Sequence, residues 1–301
     1  MVPPIKEYAK ALSNFQFALL LTLPVLLFLV VLMGYPLGYA VWLSVHDIQF
    51  VFGRMRVEYV GFGNFVAVYK SPEFWHAALI SIRFTIESVI LTISIGLGLA
   101  LVMNSRAGKS RAMRTLMLLP WAVSLYGAGT MWFYLTSGQT GIVTSLSYWA
   151  GFDRPFNLMS ASSVVDLLAL GNAWNLAPLV GFFLLANLTT IPQRLYDLAA
   201  IDCLGAWGRF LHVTLPPLRF TLFVFTSIAT VLSLRLFDFI DVMSRGGPGD
   251  SSTVLPYLLY DISFKQLELG YGAAMSFYLL ALIVAATLML YFVWGRREEA
   301  G

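Results

Sequence analysis

Six long apolar runs constrain the fold of this chain more than any other feature. Residues 11–45 contain no charged side chain, and five further runs cover about residues 77–103, 115–135, 164–188, 218–243 and 269–294. Each run has the roughly 20 residues that an α-helix needs to cross the hydrocarbon core of a bilayer. Of the 301 residues, 58% are hydrophobic and 12% are charged, whereas about a quarter of the residues of a soluble domain are charged. We therefore predict an all-α membrane protein with six transmembrane helices in a single domain, residues 1–301.

The distribution of basic residues predicts the orientation of these helices. Eleven Lys and Arg residues lie in the segments 1–14, 104–114, 188–219 and 295–301, and six lie in the segments 46–76, 136–163 and 244–268. Because Lys and Arg accumulate in cytoplasmic loops, both termini are predicted to be cytoplasmic. The same reasoning places the loop over residues 190–217 on the cytoplasmic side. Residues 46–76 are expected to form a polar loop on the other side.

The loop over residues 190–217 is the most polar and most helix-like stretch between the apolar runs. Thr190 followed by Gln193 matches a capping box, which predicts a helix that starts at Thr190. Gly205 predicts a break after this helix. Considered alone, the loop could also be a passive amphipathic segment at the bilayer surface.

A second short helix is expected to complete this loop. Trp207 and Phe210 would lie on its apolar face. The dipeptide Pro216-Pro217 cannot continue a regular helix, and it predicts that this helix ends near Leu215. The sequence thus predicts a helix–turn–helix outside the bilayer.

Charged residues within the apolar runs indicate either ion pairs or functional sites, because charges at bilayer depth are costly. Arg83 and Glu87 are four residues apart and can pair on one helix face. A structural ion pair and a functional site are both open for them. Asp166 lies near the outer end of the fourth run and is expected to reach water. Asp238 follows Arg235 by three residues and is expected to neutralise it.

The fourth run contains polar side chains that suit a sugar. Asn172, Trp174 and Asn175 fall within about one helical turn, and Pro178 follows. Amides bond hydroxyl groups, and an indole face packs on the apolar C–H face of a pyranose. Asn side chains also join helices to each other inside membranes. Both interpretations remain open from the sequence.

The sequence shows no constellation for catalysis, metal binding or nucleotide binding. The three histidines are far apart and lack metal-ligand spacing, so neither a metal site nor catalytic residues are predicted. Gly108-Lys109-Ser110 resembles the end of a phosphate-binding loop, but Met103 stands where that motif needs glycine. A net charge of +3 does not indicate a nucleic-acid partner. The single cysteine, Cys203, excludes an internal disulfide.

The residue spacing in the 190–217 loop resembles the cytoplasmic coupling loop, or EAA loop, of bacterial ABC importer permeases. The family pattern is E-A-A-x-x-x-G, then nine residues, then I-x-L-P. This chain has D-L-A from Asp197 to Ala199, then Cys203, then V-T-L-P ending at Pro216. Because Cys203 has a side chain at the usual glycine position, we expect the turn there to have a negative φ or to move to Gly205.

Other segments resemble one branch of this family, the sugar-type permeases of maltose, trehalose and glycerol-3-phosphate importers. They are residues 35–44 (YPLGYAVWLS), 60–65 (VGFGNF), 235–249 (RLFDFIDVMSRGGPG) and 264–276 (FKQLELGYGAAMS). The third segment resembles the partner permease that carries a G-G-P motif. The resemblance covers nearly the whole chain and implies the architecture of a type I ABC importer permease.

The resemblance implies a transport subunit rather than an enzyme, located in the bacterial cytoplasmic (inner) membrane and surrounded by lipid. The implied partners are a second permease in a heterodimer, two ATPase subunits and an extracytoplasmic solute-binding protein. ATP and Mg²⁺ would bind to the ATPases, and no cofactor is expected in this chain. Closure of the ATPases would move the coupling loop and switch the pathway between inward-facing and outward-facing states.

The resemblance also implies roles for individual residues. Those expected to couple to the ATPase are Asp197, Ala199, Ala200, Asp202, Cys203, Gly205, Trp207, Phe210, Leu215 and Pro216. Those expected to line the substrate pathway are Asn172, Trp174, Asn175, Leu176, Leu179, Ser233 and Leu236. We expect a neutral saccharide as substrate, because a pair between Arg235 and Asp238 would cancel the charge that suits an anionic one.

Two other functions are considered beside an importer permease. A proton-coupled secondary transporter would use Glu87 and Asp166, but no internal repeat supports it. An intramembrane enzyme would need a catalytic constellation inside the spans, and the sequence shows none.

Overall fold

The computed structural model describes residues 13–295 except 52–53, 106–107, 109, 138–140 and 153–157. The chain folds into two compact units. The first consists of Met1–Lys70 with Ile262–Met275, and the second consists of Ser71–Asp261 with Ser276–Gly301. The prediction of one permease domain over residues 1–301 stays a prediction.

The first unit begins with helix α1 (Asn14–Ser44), which contains both Pro24 and Pro36. A capping box formed by Ser13 and Gln16 lies at the start of this helix. The Ser13 side chain accepts a hydrogen bond from the Gln16 backbone N–H at 3.3 Å, and the Gln16 side chain accepts one from the Ser13 N–H at 3.0 Å. Satisfying these free N–H groups explains why the helix begins at this position.

A β-hairpin replaces part of the polar loop predicted over residues 46–76. Strand β1 (His46–Val51) pairs antiparallel with β2 (Arg54–Tyr59), with His46 opposite Tyr59. Helix α2 (Gly63–Lys70) follows. The Asn64 side chain donates to the backbone carbonyls of Ser44 and His46, both at 3.0 Å, and thereby fastens α2 to the end of α1.

The second unit is built around two long helices that pack closely together. Helix α3 (Pro72–Asn104) starts at Ser71, whose hydroxyl accepts from the Phe74 N–H at 3.2 Å. It therefore begins before the span predicted from residue 77. Helix α7 (Val164–Leu188) matches the predicted fourth span and is mostly buried. The two helices meet at glycines. A Cβ atom on Gly96 would lie 2.9 Å from the Val180 side chain, so only glycine permits this approach.

The third predicted span is broken, which corrects the prediction of one helix over residues 115–135. Helices α4 (Arg111–Ala122) and α5 (Leu125–Thr136) meet at 94°. Pro120 lies in the last turn of α4, and the extended Val123 and Ser124 redirect the chain. The Ser124 hydroxyl then accepts from the Gly127 N–H at 3.2 Å and starts α5. Helix α6 (Ile142–Trp149) follows.

The fifth span also differs from its prediction. After α8 (Gln193–Ile201), the chain forms α9 (Ala206–Arg209), a π-helical turn (Phe210–Thr214) and α10 (Leu215–Leu234). The helix therefore passes through Pro216-Pro217, and the expectation that these prolines end it near Leu215 is wrong. The wider π turn directly precedes the prolines, where a regular α-helical ladder would lack their N–H donors.

The span then breaks at its outer end. Helix α10 ends at Leu234, and α11 (Asp238–Met243) begins after three residues that are not helical. The prediction of continuous helix over residues 218–243 is wrong for this reason. The described part of the chain ends with α12 (Leu255–Tyr260), a π turn (Asp261–Lys265), α13 (Leu269–Leu290) and a second π turn (Tyr291–Gly295).

The number of spans agrees with the prediction. Among the described residues, five helices are long and apolar enough to cross a membrane, and the bent pair α4 and α5 makes a sixth. The core of the second unit includes the fully buried Phe84, Leu168 and Phe239 from α3, α7 and α11.

Candidate functional site

The predicted coupling loop consists of α8, a tight turn and α9. Helix α8 begins at Gln193 after Pro192, and no side chain caps it. The expected capping box at Thr190 is therefore wrong. The Thr190 hydroxyl instead donates to the backbone carbonyl of Asn187 at 2.8 Å, so it serves the end of α7 rather than the start of α8.

Cys203 makes the turn itself. Its φ is +57°, whereas Gly205 has a φ of −64°, so the expectation of a negative φ or a shift to Gly205 is wrong. The Cys203 N–H donates to Ala200 O at 3.1 Å, and the Leu204 N–H donates to Ala199 O at 2.9 Å. These two bonds form a Schellman motif, which requires a left-handed residue at this position. The fold therefore keeps the glycine geometry of the family pattern with a cysteine.

The turn displays carboxylate and aromatic side chains on the outside. Asp197 is exposed and accepts from the Gln193 side chain at 3.4 Å. Trp207 is 71% exposed and stacks on Phe210 with a centroid distance of 5.5 Å. Ala199 is the only buried member of the predicted coupling set. The others are exposed (Ala200, Asp202, Cys203, Gly205) or half-buried (Phe210, Leu215, Pro216).

A hydrogen bond joins the two halves of the loop. The Tyr196 hydroxyl of α8 lies 3.2 Å from the Thr214 hydroxyl in the π turn. Thr214 is buried. This hydrogen bond connects α8 to the base of α10. A displacement of α8 would therefore act on that transmembrane helix.

A second candidate site is a cavity of about 510 Å³ that is lined by residues at both helix breaks. It contains four of the predicted pathway residues: Asn172, Asn175, Leu176 and Leu236. The break between α4 and α5 contributes Trp121, Val123, Ser124 and Leu125. The end of α10 and the following break contribute Leu232, Arg235, Phe237 and Asp238. Broken transmembrane helices expose polar groups at membrane depth, which is how many transporters build their substrate sites.

The two asparagines both join helices and line the cavity. Asn172 donates to the hydroxyls of Ser88 at 2.6 Å and Ser233 at 3.2 Å. Asn175 donates to the backbone carbonyls of Pro120 at 2.8 Å and Val123 at 3.0 Å. Their amide nitrogens therefore join α7 to neighbouring helices. Within the described part of the chain, their amide oxygens have no donor.

Three predicted pathway residues do not line this cavity. Trp174 packs edge-on against Trp132 with a centroid distance of 6.2 Å. Both tryptophans line two other hollows that are separate from this cavity. Leu179 packs on the apolar cluster nearer the other end of α7. Ser233 is 3% exposed and bonds to Asn172. The 100° rotation per helical residue places Trp174 on a different face from Asn172 and Asn175.

The charged residues in the spans pair differently from the prediction. Arg83 binds Glu87 at 2.7 Å, as predicted, and also binds Asp166 at 2.5 Å across to α7. Asp166 is therefore an ion-pair partner as well as a water-exposed group. Arg235 and Asp238 form no ion pair in the described part of the chain, so their expected neutralisation is wrong. The helix break between them prevents the i, i+3 geometry that the prediction assumed.

The sequence reasoning missed Trp121 as a cavity-lining group, and it treated Arg235 and Asp238 as an ion pair rather than as two separate lining groups. The first could have been suspected from Pro120-Trp121 followed by Ser124, because proline near a capping serine indicates a helix boundary. Within the described ranges, no group of three His, Cys, Asp or Glu side chains could hold a metal ion.

Solved structures match the fold over more than nine tenths of the chain. A bacterial ABC transporter that imports the acidic polysaccharide alginate aligns with a TM-score of 0.79, covering 96% of this chain and 99% of that one. The sequence identity is 20%, so this match supports the fold. A second structure of an alginate ABC transporter, with a pentasaccharide-bound periplasmic protein, aligns with a TM-score of 0.78.

Curated relatives share more of the sequence, although no protein-family model matches the chain. The sulfoquinovosyl glycerol permease SmoG of Agrobacterium fabrum is 30% identical, covering 90% of this chain and 87% of SmoG. The trehalose/maltose permease MalF of Thermococcus litoralis is 30% identical, covering 92% of each chain. The sn-glycerol-3-phosphate permease UgpA of Pectobacterium atrosepticum is also 30% identical, covering 90% of this chain and 91% of UgpA. With six apolar spans and this similarity over nearly its full length, the chain belongs to the family of sugar ABC transporter permeases.

Proposed function

We propose that this permease moves a neutral saccharide across the bacterial inner membrane, with both termini and the loop over residues 190–217 in the cytoplasm. The observation that supports this most strongly is the exposed loop itself. Its Schellman turn at Cys203 has a left-handed residue where the family pattern has glycine, and α8 is bonded to the base of α10. An ATPase cleft that grips α8 could therefore move a transmembrane helix.

The proposed partners follow from the same arrangement. The large apolar side chains of Trp207 and Ile201 are exposed in the same loop as Asp197, and such apolar surface is costly to leave in water without a partner. We assign this surface to one of two ATPase subunits, which would hold ATP and Mg²⁺. A second permease and an extracytoplasmic solute-binding protein would complete the importer.

The substrate class is proposed from the cavity and the relatives together. The relatives carry names of transporters for trehalose/maltose, sulfoquinovosyl glycerol and sn-glycerol 3-phosphate. In the cavity of this chain, Arg235 and Asp238 bring one charge of each sign, so its lining has no net charge. Two asparagine oxygens add acceptors for hydroxyl groups. This balance favours a neutral saccharide over an anionic one.

A proton-coupled transporter is the weaker alternative. Glu87 and Asp166, its candidate proton carriers, both bind Arg83. Both carboxylates are thus engaged by one guanidinium, which gives them a structural role in joining α3 to α7. One Glu87 oxygen is nevertheless buried without a hydrogen-bond partner in the described part of the chain.

The proposal is tested by purifying the chain together with the products of its neighbouring genes and reconstituting them in liposomes. We expect an ATPase to co-purify, and uptake of labelled maltose or trehalose to require ATP. Uptake that continues without ATP but stops without a proton gradient would support the alternative. If no ATPase co-purifies and neither sugar is taken up, the proposal is wrong.

The coupling role is tested by reversing one charge. We expect Asp197→Lys to lower uptake and ATPase stimulation to background, because loss of a central interface contact typically costs about 2 kcal/mol or more. Asp197→Glu is the matched control, since it keeps the carboxylate and restores the family's usual residue. Normal uptake by Asp197→Lys would remove Asp197 from the coupling interface, provided that membrane insertion is verified by immunoblot.

A further inference from the structure

A lateral groove runs between α3, α10 and the second half of α13, entirely within the second unit. Its volume is about 450 Å³, which falls in the range of about 300–1,000 Å³ that is typical of ligand sites. Its described lining consists of apolar side chains and three threonines, and none of these residues is charged. All three helices are candidate membrane spans, so the groove lies at bilayer depth. The rim residues Ile86, Ile90 and Met289 are more than half exposed, and the groove therefore opens sideways from the chain.

Two aromatic contacts fix α13 on either side of the groove. Phe74 of α3 packs against Tyr278 of α13 with a centroid distance of 5.3 Å. Beyond the other end of α13, Trp294 packs against Phe223 of α10 at 6.1 Å. Between these contacts α13 presents short side chains, such as that of Ala286, and they do not fill the space. The groove is therefore a built feature between helices that are joined at both ends.

One threonine in the groove has an unused hydroxyl. Thr85 is 6% exposed, and its hydroxyl oxygen is buried without a hydrogen-bond partner among the described residues. Two other threonines of these helices bond to their own backbone. Thr230 donates to the Thr226 carbonyl and Thr287 donates to the Ile283 carbonyl, both at 2.8 Å. Because a buried hydroxyl without a partner is unfavourable, Thr85 indicates a ligand that brings an acceptor into the groove.

Thr85 lies at the depth where the acyl chains of a bilayer begin. Helix α3 has 33 residues and is about 50 Å long, whereas the hydrocarbon core is only about 30 Å thick. In the proposed orientation Asn104 is its inner end, and the roughly 20 residues that cross the core then reach back to about Thr85. Arg83, only two residues earlier, is half-exposed and pairs with Asp166 of α7, as suits charged groups outside the hydrocarbon. At this level the acceptors of a phospholipid are its ester carbonyls.

We propose that the lateral groove binds one acyl chain of an outer-leaflet phospholipid, and that the Thr85 hydroxyl donates to the ester carbonyl of that chain. The chain fits because lipid hydrocarbon is as apolar as the Leu and Ile side chains of the lining. A helix of the second permease is the competing occupant, but the backbone carbonyls of a membrane helix are already bonded within it. The lipid joins the middle of α13 to α3 and α10. This site is separate from the cavity at the helix breaks and does not depend on which solute the importer carries.

The test uses a phospholipid with a photoreactive diazirine at the end of one acyl chain, made in two forms that attach this chain by an ester or by an ether. The permease complex is reconstituted with each probe and irradiated, and mass spectrometry of its peptides measures labelling of the groove. We expect the ester probe to label the groove about threefold to tenfold more than the ether probe, since this factor corresponds to one net hydrogen bond. Thr85→Val keeps the shape of the side chain and should make the two probes equal. Thr287→Val is the matched control and should keep the difference, because the Thr287 hydroxyl bonds the Ile283 carbonyl.

A second variant fills the groove instead of removing the hydroxyl. We expect Ala286→Phe to lower groove labelling by both probes roughly fivefold or more, because the ring takes the space of the acyl chain. Val284→Phe adds a ring to the same helix at an exposed position outside the groove, and it should leave the labelling unchanged. Size-exclusion chromatography verifies that each variant remains in the complex.

Three outcomes would overturn the proposal. Labelling spread evenly over all exposed faces of the spans would show contact with bulk lipid only. Groove labelling that occurs in the permease purified alone but disappears in the complex would assign the groove to the second permease. Equal labelling by the ester and ether probes in the natural protein would remove the bond from Thr85. Uptake is not measured in this experiment, so its failure would leave the proposed transport function unaffected.

Discussion

At the scale of single residues, Cys203 carries a conformation that its side chain disfavours. A left-handed residue other than glycine costs about 1–2 kcal/mol. Two backbone hydrogen bonds close the Schellman motif around Cys203 and offset this free-energy cost. Its thiol contributes little in return, since its contact with Ile201 O is weak at 3.7 Å. The turn geometry is thus set by the backbone bonds and not by the residue type.

We expect Cys203→Gly to stabilise the purified permease by up to about 1 kcal/mol, because glycine adopts the left-handed conformation without strain but loses more entropy on folding. The apparent unfolding temperature in detergent measures this. The matched control is Asp202→Gly, at a φ of −71°, where glycine gains nothing and should destabilise. A lower unfolding temperature for Cys203→Gly would contradict the strain argument.

At the scale of secondary-structure elements, two breaks in otherwise helical spans define the cavity. The break between α4 and α5 leaves the Val123 carbonyl without a helical partner, and the buried Asn175 of α7 donates to it and to the Pro120 carbonyl. The break after α10 separates Arg235 from Asp238 and turns both toward the same cavity. Continuous helices over the predicted ranges would have paired these charges and closed the space.

Removal of the Asn175 amide should therefore loosen the first break. We expect Asn175→Leu to destabilise the complex by about 1–3 kcal/mol, because it leaves the Val123 carbonyl without a donor in an apolar region. The Pro120 carbonyl would keep only its bond from the Val123 N–H at 3.3 Å. Both the unfolding temperature and sugar uptake should fall. Asn187→Leu serves as the comparison, since Asn187 bonds the Thr221 side chain of α10 and does not contact the break. Unchanged stability of Asn175→Leu would mean that the break is held by other contacts.

At the scale of the whole molecule, the orientation across the membrane connects the two candidate sites. The loop over residues 190–217 follows four spans, so it lies on the same side as the N-terminus. The excess of Lys and Arg in the segments on that side predicts that it lies in the cytoplasm. Cys203 is exposed in this loop and is the single cysteine of the chain, so it reports the side directly.

A membrane-impermeant maleimide should label Cys203 in inside-out vesicles but not in intact spheroplasts, when the permease is produced without the ATPase. For the opposite side, Asp250→Cys in a Cys203→Ser background is the control, because Asp250 is exposed in the segment between the fifth and sixth spans. It should be labelled in spheroplasts. Labelling of Cys203 from outside would reverse the proposed orientation and exclude contact with a cytoplasmic ATPase.

Local features were predictable where one short stretch decides the outcome. The fourth span was predicted over residues 164–188 and occurs there, and the pair of Arg83 with Glu87 follows from their spacing. Predictions failed where a distant contact or a backbone bond competed with local preference. The Thr190 hydroxyl bonds backward to Asn187, and Pro216-Pro217 continue a helix that is widened just before them.

By itself, the sequence determined the membrane class, the number of spans, the coupling-loop spacing and the family, because run length and residue spacing are properties of the linear chain. Only the tertiary structure decided which side chains share the cavity. Asn175 and Pro120 are 55 residues apart in the chain, and their bond fixes the turn that carries Trp121. The rotation of α7 sends Trp174 away from the asparagines, and a helix break keeps Arg235 and Asp238 apart. Such pairings depend on how helices pack, and packing is a property of the folded molecule.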